Sequence, residues 1–83
     1  MRQDKRANAL VDMHCQTLAR GRGVTVDAAM FSVEELTEMV RAAAQSGYKC
    51  SVKILNSQAF GQRDKARILS AATEKKRVVF RYG

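Results

Sequence analysis

Residues 31–36, FSVEEL, form the stretch that decides the fold of this chain. Ser32 can cap the first turn of a helix, and Glu35, three residues later, can reach back to the Ser32 amide. Phe31 before the cap and Leu36 at the fourth helical position can touch each other across the cap as a hydrophobic staple. The stretch therefore predicts a helix that begins immediately after Ser32.

This helix has one apolar face. Leu36, Met39, Val40 and Ala43 recur at helical spacing and make a single stripe. Gly47 predicts its end, because glycine adopts the left-handed backbone of a helix C-terminus at little cost.

The pattern of the flanking residues predicts the remaining elements. Residues 24–30, 48–55 and 78–82 alternate apolar and polar side chains, which is typical of strands. Residues 4–20 and 62–73 have helical periodicity, and the first of these segments is stopped by glycines at 21 and 23. We expect these strand and helix residues to face the core: Val24, Val26, Tyr48, Cys50, Val52, Ile54, Ala66, Ile68, Leu69 and Ala72.

The predicted fold class is α/β, with an N-terminal helix followed by a βαβαβ unit. The sheet is expected to be small, three-stranded and mainly parallel, since strands joined by a helix pair in parallel through right-handed crossovers. Both crossover helices should then cover one face, and we expect the first helix to pack on the other. We interpret 1–83 as a single domain, with a helix and glycine-rich turn in 1–23 and the βαβαβ unit in 24–83.

The two strand–helix units are related by an internal repeat of 29 residues. Phe31-Ser32 matches Phe60-Gly61, and Val26-Asp27 matches Leu55-Asn56. The apolar pairs of the two helices follow at the same offset, and the third strand falls out of register.

Residues 24–82 resemble the short strand–helix repeats, similar to degenerate leucine-rich repeats, that occur in bacterial proteins. The resemblance lies in a short apolar alternation, a Phe-Ser cap and a helix of Leu, Met and Val. It implies an interaction surface rather than an enzyme. The chain departs from the pattern in having two units and a preceding helix.

Few residues are candidates for chemistry. His14 and Cys15 are adjacent, and neighbours on a helix point about 100° apart, which argues against a Cys–His nucleophile. A zinc site would need Cys50 and Asp12 beside them, without any paired spacing. Phosphate-binding glycine motifs are absent from the sequence. We therefore predict no enzyme activity, no metal and no cofactor, and interpret the glutamates of the first repeat helix, Glu34, Glu35 and Glu38, as a solvated face with one cap.

Charge is the remaining indication of function. The chain carries 15 Lys and Arg against 8 Asp and Glu, for a net charge of +7. Residues 24–47 have a net charge of −3, from one basic and four acidic side chains, whereas residues 48–83 have +7, from nine and two. A basic helix face beside a basic loop is typical of phosphate-backbone binding. The candidate nucleic-acid contacts are Arg63, Lys65, Arg67, Lys75, Lys76 and Arg77.

The last predicted strand offers a second surface. An uncovered strand edge can pair with another chain, and we expect Val78, Phe80 and Tyr82 to form such an edge. The sequence thus predicts a small basic binding module that mediates protein–protein interaction, including self-association, with DNA or RNA binding as the alternative. The charged start of the chain and the scarcity of cysteine indicate a cytoplasmic protein without a membrane partner.

Overall fold

Three parallel strands in the order β1-β2-β3 form the centre of the fold. The computed structural model describes residues 5–82, with side chains from residue 9 onward. The elements are α1 (Lys5–Ala19), β1 (Val24–Asp27), α2 (Val33–Gln45), β2 (Val52–Leu55), α3 (Gln62–Leu69) and β3 (Val78–Phe80), with single 3-10 turns at Ser57–Ala59 and Lys75–Arg77. This confirms the α/β class, the N-terminal helix and the parallel three-stranded sheet.

The cap of α2 forms as the sequence predicts. The Glu35 N–H donates to Ser32 Oγ at 3.1 Å, and the Ser32 N–H donates to Glu35 Oε1 at 2.8 Å. Phe31 and Leu36 are both buried in the core. Because two otherwise unpaired amides are satisfied, α2 begins at a fixed residue and keeps its stripe on the sheet.

All three helices lie on one side of the sheet. The packing order is α1, α2, α3, because α2 packs against both other helices and α1 also contacts β1. The expectation that α1 covers the opposite sheet face is wrong. Its Val11 and Leu18 join the same core as Leu36 and Met39, so the chain builds one apolar layer instead of two.

The strands are shorter than their alternating patterns. The predicted strand 24–30 ends at Asp27, because Ala28 to Met30 turn toward α2. The predicted strand 48–55 begins at Val52, and Tyr48, expected to face the core, is 61% exposed. The last strand ends at Phe80, and α3 ends at Leu69 instead of residue 73.

Tyr48 contacts the turn after α1 rather than the core. Gly21 has a φ of +85° at the end of α1, and a Cβ there would lie 2.7 Å from Tyr48 Cγ. Glycine therefore meets two requirements at this position, the left-handed backbone and the close approach of the ring.

The offset between the two units is 29 residues at the helix caps and 28 residues in the strands. The helix caps Ser32 and Gly61 keep the predicted offset of 29, but Val26 pairs with Ile54 and Asp27 with Leu55, an offset of 28. The matching of Asp27 with Asn56 is therefore wrong. Residues 56–60 link strand to helix in the second unit, one more than residues 28–31 in the first, and Asn56 takes a left-handed φ of 57° there.

The core lies between the sheet and the helix layer. Ala66, expected to face inward, is exposed on α3, whereas Ile68 is fully buried. No helix among the described residues is both long and apolar enough to span a bilayer. The fully buried side chains are Leu18, Leu36, Met39, Val40, Val52, Ile54, Ser57 and Ile68.

Candidate interaction surfaces

The sheet face opposite the helices is uncovered within the described residues. Side chains alternate along each strand, so those between the core positions point to this face. Lys53 and Thr25 are exposed on it, and Leu55 and Val79 are half-buried. We call this surface the open face and define it by Thr25, Asp27, Lys53, Leu55, Val79 and Arg81.

Asp27 is held in place on the open face. Its Oδ1 accepts the Ala29 N–H at 2.8 Å, and the Asn56 side chain provides a second hydrogen bond. These two donors lower the pKa of the Asp27 carboxyl, in that order of size, because they favour the charged form. Sequence reasoning missed this link, since it depends on the one-residue shift that brings Asn56 beside the end of β1.

The edge of β3 directs part of its backbone away from the sheet. The Arg81 N–H donates to Ile54 O at 2.8 Å, and the Ser57 N–H donates to Arg81 O at 2.8 Å, so Arg81 faces β2. Neighbouring residues of a strand point their amides and carbonyls to opposite sides. The backbones of Phe80 and Tyr82 therefore point outward.

Of the three predicted edge residues, Val78 has a different environment. Its N–H donates to Lys75 O within the preceding 3-10 turn, and its side chain is buried. Phe80 is half-buried, and Tyr82 is 73% exposed. The part of the edge that can accept another strand is thus the segment from Phe80 to Tyr82.

Lys65 belongs to this edge and not to a separate cationic surface. Its Nζ lies 5.6 Å from the centre of the Phe80 ring and 4.6 Å from that of Tyr82, and donates to Tyr82 Oη at 3.1 Å. A cation over aromatic faces is attracted by the ring electrons. The three residues join the outer side of α3 to the end of β3.

Glu74 partly neutralises the basic loop. Arg77 Nε lies 3.1 Å from Glu74 Oε1, and Lys76 Nζ lies 3.7 Å from Oε2. The hydrogen bond from Arg77, then its charge, lowers the pKa of the Glu74 carboxyl. The spacing of three residues between Glu74 and Arg77 is a signal that the sequence already contained.

Three of the predicted nucleic-acid contacts have neither an ion pair nor a cation–π contact within the described residues. They are Arg63, Arg67 and Lys75, and all three are exposed. Arg63 and Arg67 lie one helical turn apart on α3. Glu34 and Glu38 of α2 line the same groove as Arg67, so acidic side chains border this basic strip.

His14 and Cys15 contact different neighbours. The His14 and Phe31 rings meet in a T-shaped arrangement with centres 5.9 Å apart, whereas Cys15 Sγ lies 4.0 Å from Glu38 O. Burial, then the charges of Glu38 and Asp12, raises the pKa of the Cys15 thiol, which disfavours the nucleophilic thiolate. No cluster of three or more metal-ligating side chains occurs in the part of the chain that the structure describes.

A cavity of about 230 Å³ lies where β2 and β3 begin. Its floor is apolar, with Val40, Val52 and Val78, and its mouth carries the Glu74–Arg77 pair. It is smaller than the roughly 300–1,000 Å³ of ordinary ligand sites and lies at the end of the sheet opposite to the usual ligand site of parallel folds. We assign it no ligand.

Comparison with protein-family models, curated proteins and solved structures finds no match to this chain. The resemblance to short strand–helix repeats therefore stays a prediction. The candidate surfaces are the open face, the segment from Phe80 to Tyr82 and the cations of α3.

Proposed function

We propose that the chain is a non-enzymatic binding module that accepts a strand of a partner protein along the edge of β3. The outward backbone of Phe80 and Tyr82 is the observation that carries this proposal. An extended segment that pairs with such an edge gains main-chain hydrogen bonds, and neighbouring side chains supply specificity. The half-buried Val79 and the exposed Arg81 of the open face are the side chains that we expect to supply that specificity.

A substitution at Tyr82 tests this proposal. Tyr82→Pro removes the outward N–H and blocks strand addition, since proline cannot donate to a strand. Tyr82→Ala removes the same ring and keeps the N–H, which makes it the matched control. Tyr82 lies outside the buried core, so we expect both variants to fold.

The measurement is quantitative affinity capture from an extract of the source organism, with equal amounts of each immobilised chain. We expect at least one protein, which can be the chain itself, to be retained by the wild type and by Tyr82→Ala and lost with Tyr82→Pro. Equal retention by all three chains would remove the β3 edge from the proposal. Absence of any specifically retained protein would overturn the binding function.

Nucleic-acid binding is the second candidate, and it is supported by the exposed cations Arg63, Arg67 and Lys75. Their contacts with phosphates would release counterions, so binding should fall steeply as salt rises. The acidic side chains Glu34 and Glu38 beside Arg67 oppose this use of the α3 surface.

Fluorescence anisotropy distinguishes this candidate. Labelled duplex DNA, single-stranded DNA and single-stranded RNA of about 20 nucleotides are titrated with the chain at about 50 and 200 mM salt. We expect any binding to weaken in the triple variant Arg63→Gln, Arg67→Gln, Lys75→Gln. Lys76→Gln is the control and should leave binding unchanged, because Glu74 already offsets part of the charge of Lys76. No change in anisotropy at the lower salt concentration would end this candidate.

A further inference from the structure

We infer that the protein partner is a second copy of this chain, added head to tail so that β1 of one copy extends the sheet beyond β3 of the other. The inference rests on the proposed function and names its partner. We call the side formed by β1 and α1 the head, and the side formed by β3 and α3 the tail.

The order of the elements is the first argument. Each strand follows its own helix, and both layers advance in the same direction, α1-α2-α3 above β1-β2-β3. A second copy that repeats this order would place its α1 beside α3 and its β1 beside β3. The new contacts would therefore reproduce the helix–helix and strand–strand packing that already exists twice within the chain.

The tail side of α3 has apolar side chains that the core leaves partly or fully exposed. Lys65 reaches over Phe80 and Tyr82, which identifies the side of α3 that faces away from α2. Leu69 lies one turn after Lys65 on this side and is half-buried. Ala66 is exposed beside them, although its position in the sequence pattern suggested the core.

The head side of α1 is apolar as well. Cys15 faces Glu38 of α2, so residues two positions away lie about 160° around the helix and face away from α2. Met13, one of these, is 59% exposed, and Leu10 beside it is half-buried. Methionine adapts to irregular apolar surfaces, and it would meet Ala66 and Leu69 of the neighbouring copy.

The two sheet edges are complementary in hydrogen bonding. At β1, the Val24 N–H donates to Ser51 O and the Ala28 N–H to Leu55 O, which directs the backbone of Thr25 away from β2. Thr25 at the head and Phe80 at the tail therefore both have outward main-chain groups. Parallel pairing would satisfy both.

The register also places opposite charges side by side. The first residues of the strands are aligned, Val24 with Val52 and Val52 with Val78. The same alignment across the new interface pairs Arg81 with Asp27 of the added copy, on the open face. Opposite charges directly across two strands stabilise the pairing, so the pair favours this register.

Head-to-tail contact does not close on itself unless the rotation between copies returns to the start, so it produces open chains of varying length. Each copy has a net charge of +7, and the copies repel one another. Added salt should therefore lengthen the chains, whereas it weakens nucleic-acid binding.

Two blocked variants test the inference. Thr25→Pro blocks the head, because Thr25 is exposed and its N–H points away from β2. Ala66→Glu blocks the tail by placing a charge on the exposed side of α3. Ala59→Glu, at an exposed alanine in the link between β2 and α3, is the matched control for the added charge.

Sedimentation velocity of the 83-residue chain from about 10 μM to 1 mM gives the result. We expect wild type and Ala59→Glu to form species larger than dimers as concentration rises, and each blocked variant to stay monomeric, with apparent dissociation constants raised at least tenfold. An equal mixture of Thr25→Pro and Ala66→Glu should form one heterodimer and nothing larger, since only one intact head meets one intact tail.

Other outcomes overturn the inference. If Thr25→Pro still dimerises and the wild type stops at the dimer, the contact is a symmetric pairing of two β3 edges. If the wild type is monomeric at 1 mM in both low and high salt, no head-to-tail contact exists. In that second case, the proposed function still stands if Tyr82→Pro abolishes the capture of a different protein. If Tyr82→Pro abolishes no capture, the proposed function fails together with the inference.

Discussion

The two strand–helix units have similar sequences and are built differently. Helix α2 has 13 residues, a complete capping box and four buried side chains, whereas α3 has eight residues, no side-chain cap and only Ile68 buried. The first unit lies in an acidic segment and the second in a basic one. The difference between the units therefore lies in their helices: α2 contributes most of its apolar face to the core, whereas α3 leaves most of its side chains at the surface.

The largest expected difference in stability is between substitutions at Leu36 and at Lys65. These residues occupy the same position after the caps of α2 and α3. Leu36 is completely buried, so Leu36→Ala should lower the free energy of unfolding by about 2–5 kcal/mol. Lys65→Ala should cost only about 0.5–1 kcal/mol, since it removes a cation–π contact at a half-exposed site. Urea unfolding followed by circular dichroism measures both free energies of unfolding. Equal losses in the two variants would contradict the difference between α2 and α3.

The caps provide the next comparison. Ser32→Ala should cost about 1 kcal/mol, because it removes the acceptor of the Glu35 N–H. Gly61→Ser should stabilise by a few tenths of a kcal/mol, because serine can cap α3 and the space around Gly61 is open. Thermal unfolding of both variants checks the opposite signs, and destabilisation by Gly61→Ser would show that the weak cap of α3 has another cause.

The pH dependence of stability compares one carboxylate from each part of the chain, Asp27 and Glu74. Asp27 and Glu74 both have a lowered pKa, so each contributes stability that is present above its unfolded pKa and lost as the pH falls through its folded pKa. NMR titration should place the pKa of each carboxyl below that of the same side chain in the unfolded chain.

The causes of the two shifts differ. Asp27 is stabilised by neutral donors, so its pKa should change little with salt, whereas the pKa of Glu74 should rise with added salt and in Arg77→Gln. A salt-insensitive midpoint at Glu74 would mean that the charge of Arg77 does not act on it.

The smallest expected effect concerns the thiols. Cys50 is buried with its Sγ 3.7 Å from Leu18 O, so iodoacetamide should modify Cys15 first. Glu38→Gln should speed modification of Cys15, since burial and then the negative charge of Glu38 raise the pKa of this thiol. Glu34→Gln is the control on the same helix, and an equal acceleration there would remove Glu38 as a cause.

Much of the fold follows from the sequence because local signals agree with one another. The capping box places α2, and alternation places the centres of the three strands. The ends of the strands were predicted wrongly, because the alternation of apolar and polar residues extends beyond the strands. It includes Ala28 after β1 and Tyr48 before β2, where the backbone is no longer, or not yet, part of the sheet. The repeat offset failed in the strands, because one additional residue near Asn56 adopts a left-handed conformation that the pattern does not encode.

The position of α1 could not be predicted from its apolar stripe, which fits either face of the sheet. The choice depends on whether Val11 and Leu18 join the existing core or begin a second one. Surface charges were predicted as a set, but their pairing was not. Glu74 partly neutralises Lys76 and Arg77, and Lys65 lies over the Tyr82 ring, so fewer than the six predicted cations are free of such contacts within the described residues.

The packing of Tyr48 against Gly21 has a practical consequence. The chain has two tyrosines and no tryptophan, and the second tyrosine, Tyr82, lies at the far end of the last strand. Intrinsic emission therefore comes from two places, one at the turn that joins α1 to β1 and one at the edge of β3. A single phenylalanine replacement at either position leaves one native reporter, so docking of the first helix and occupation of the last strand can be followed separately without an added dye.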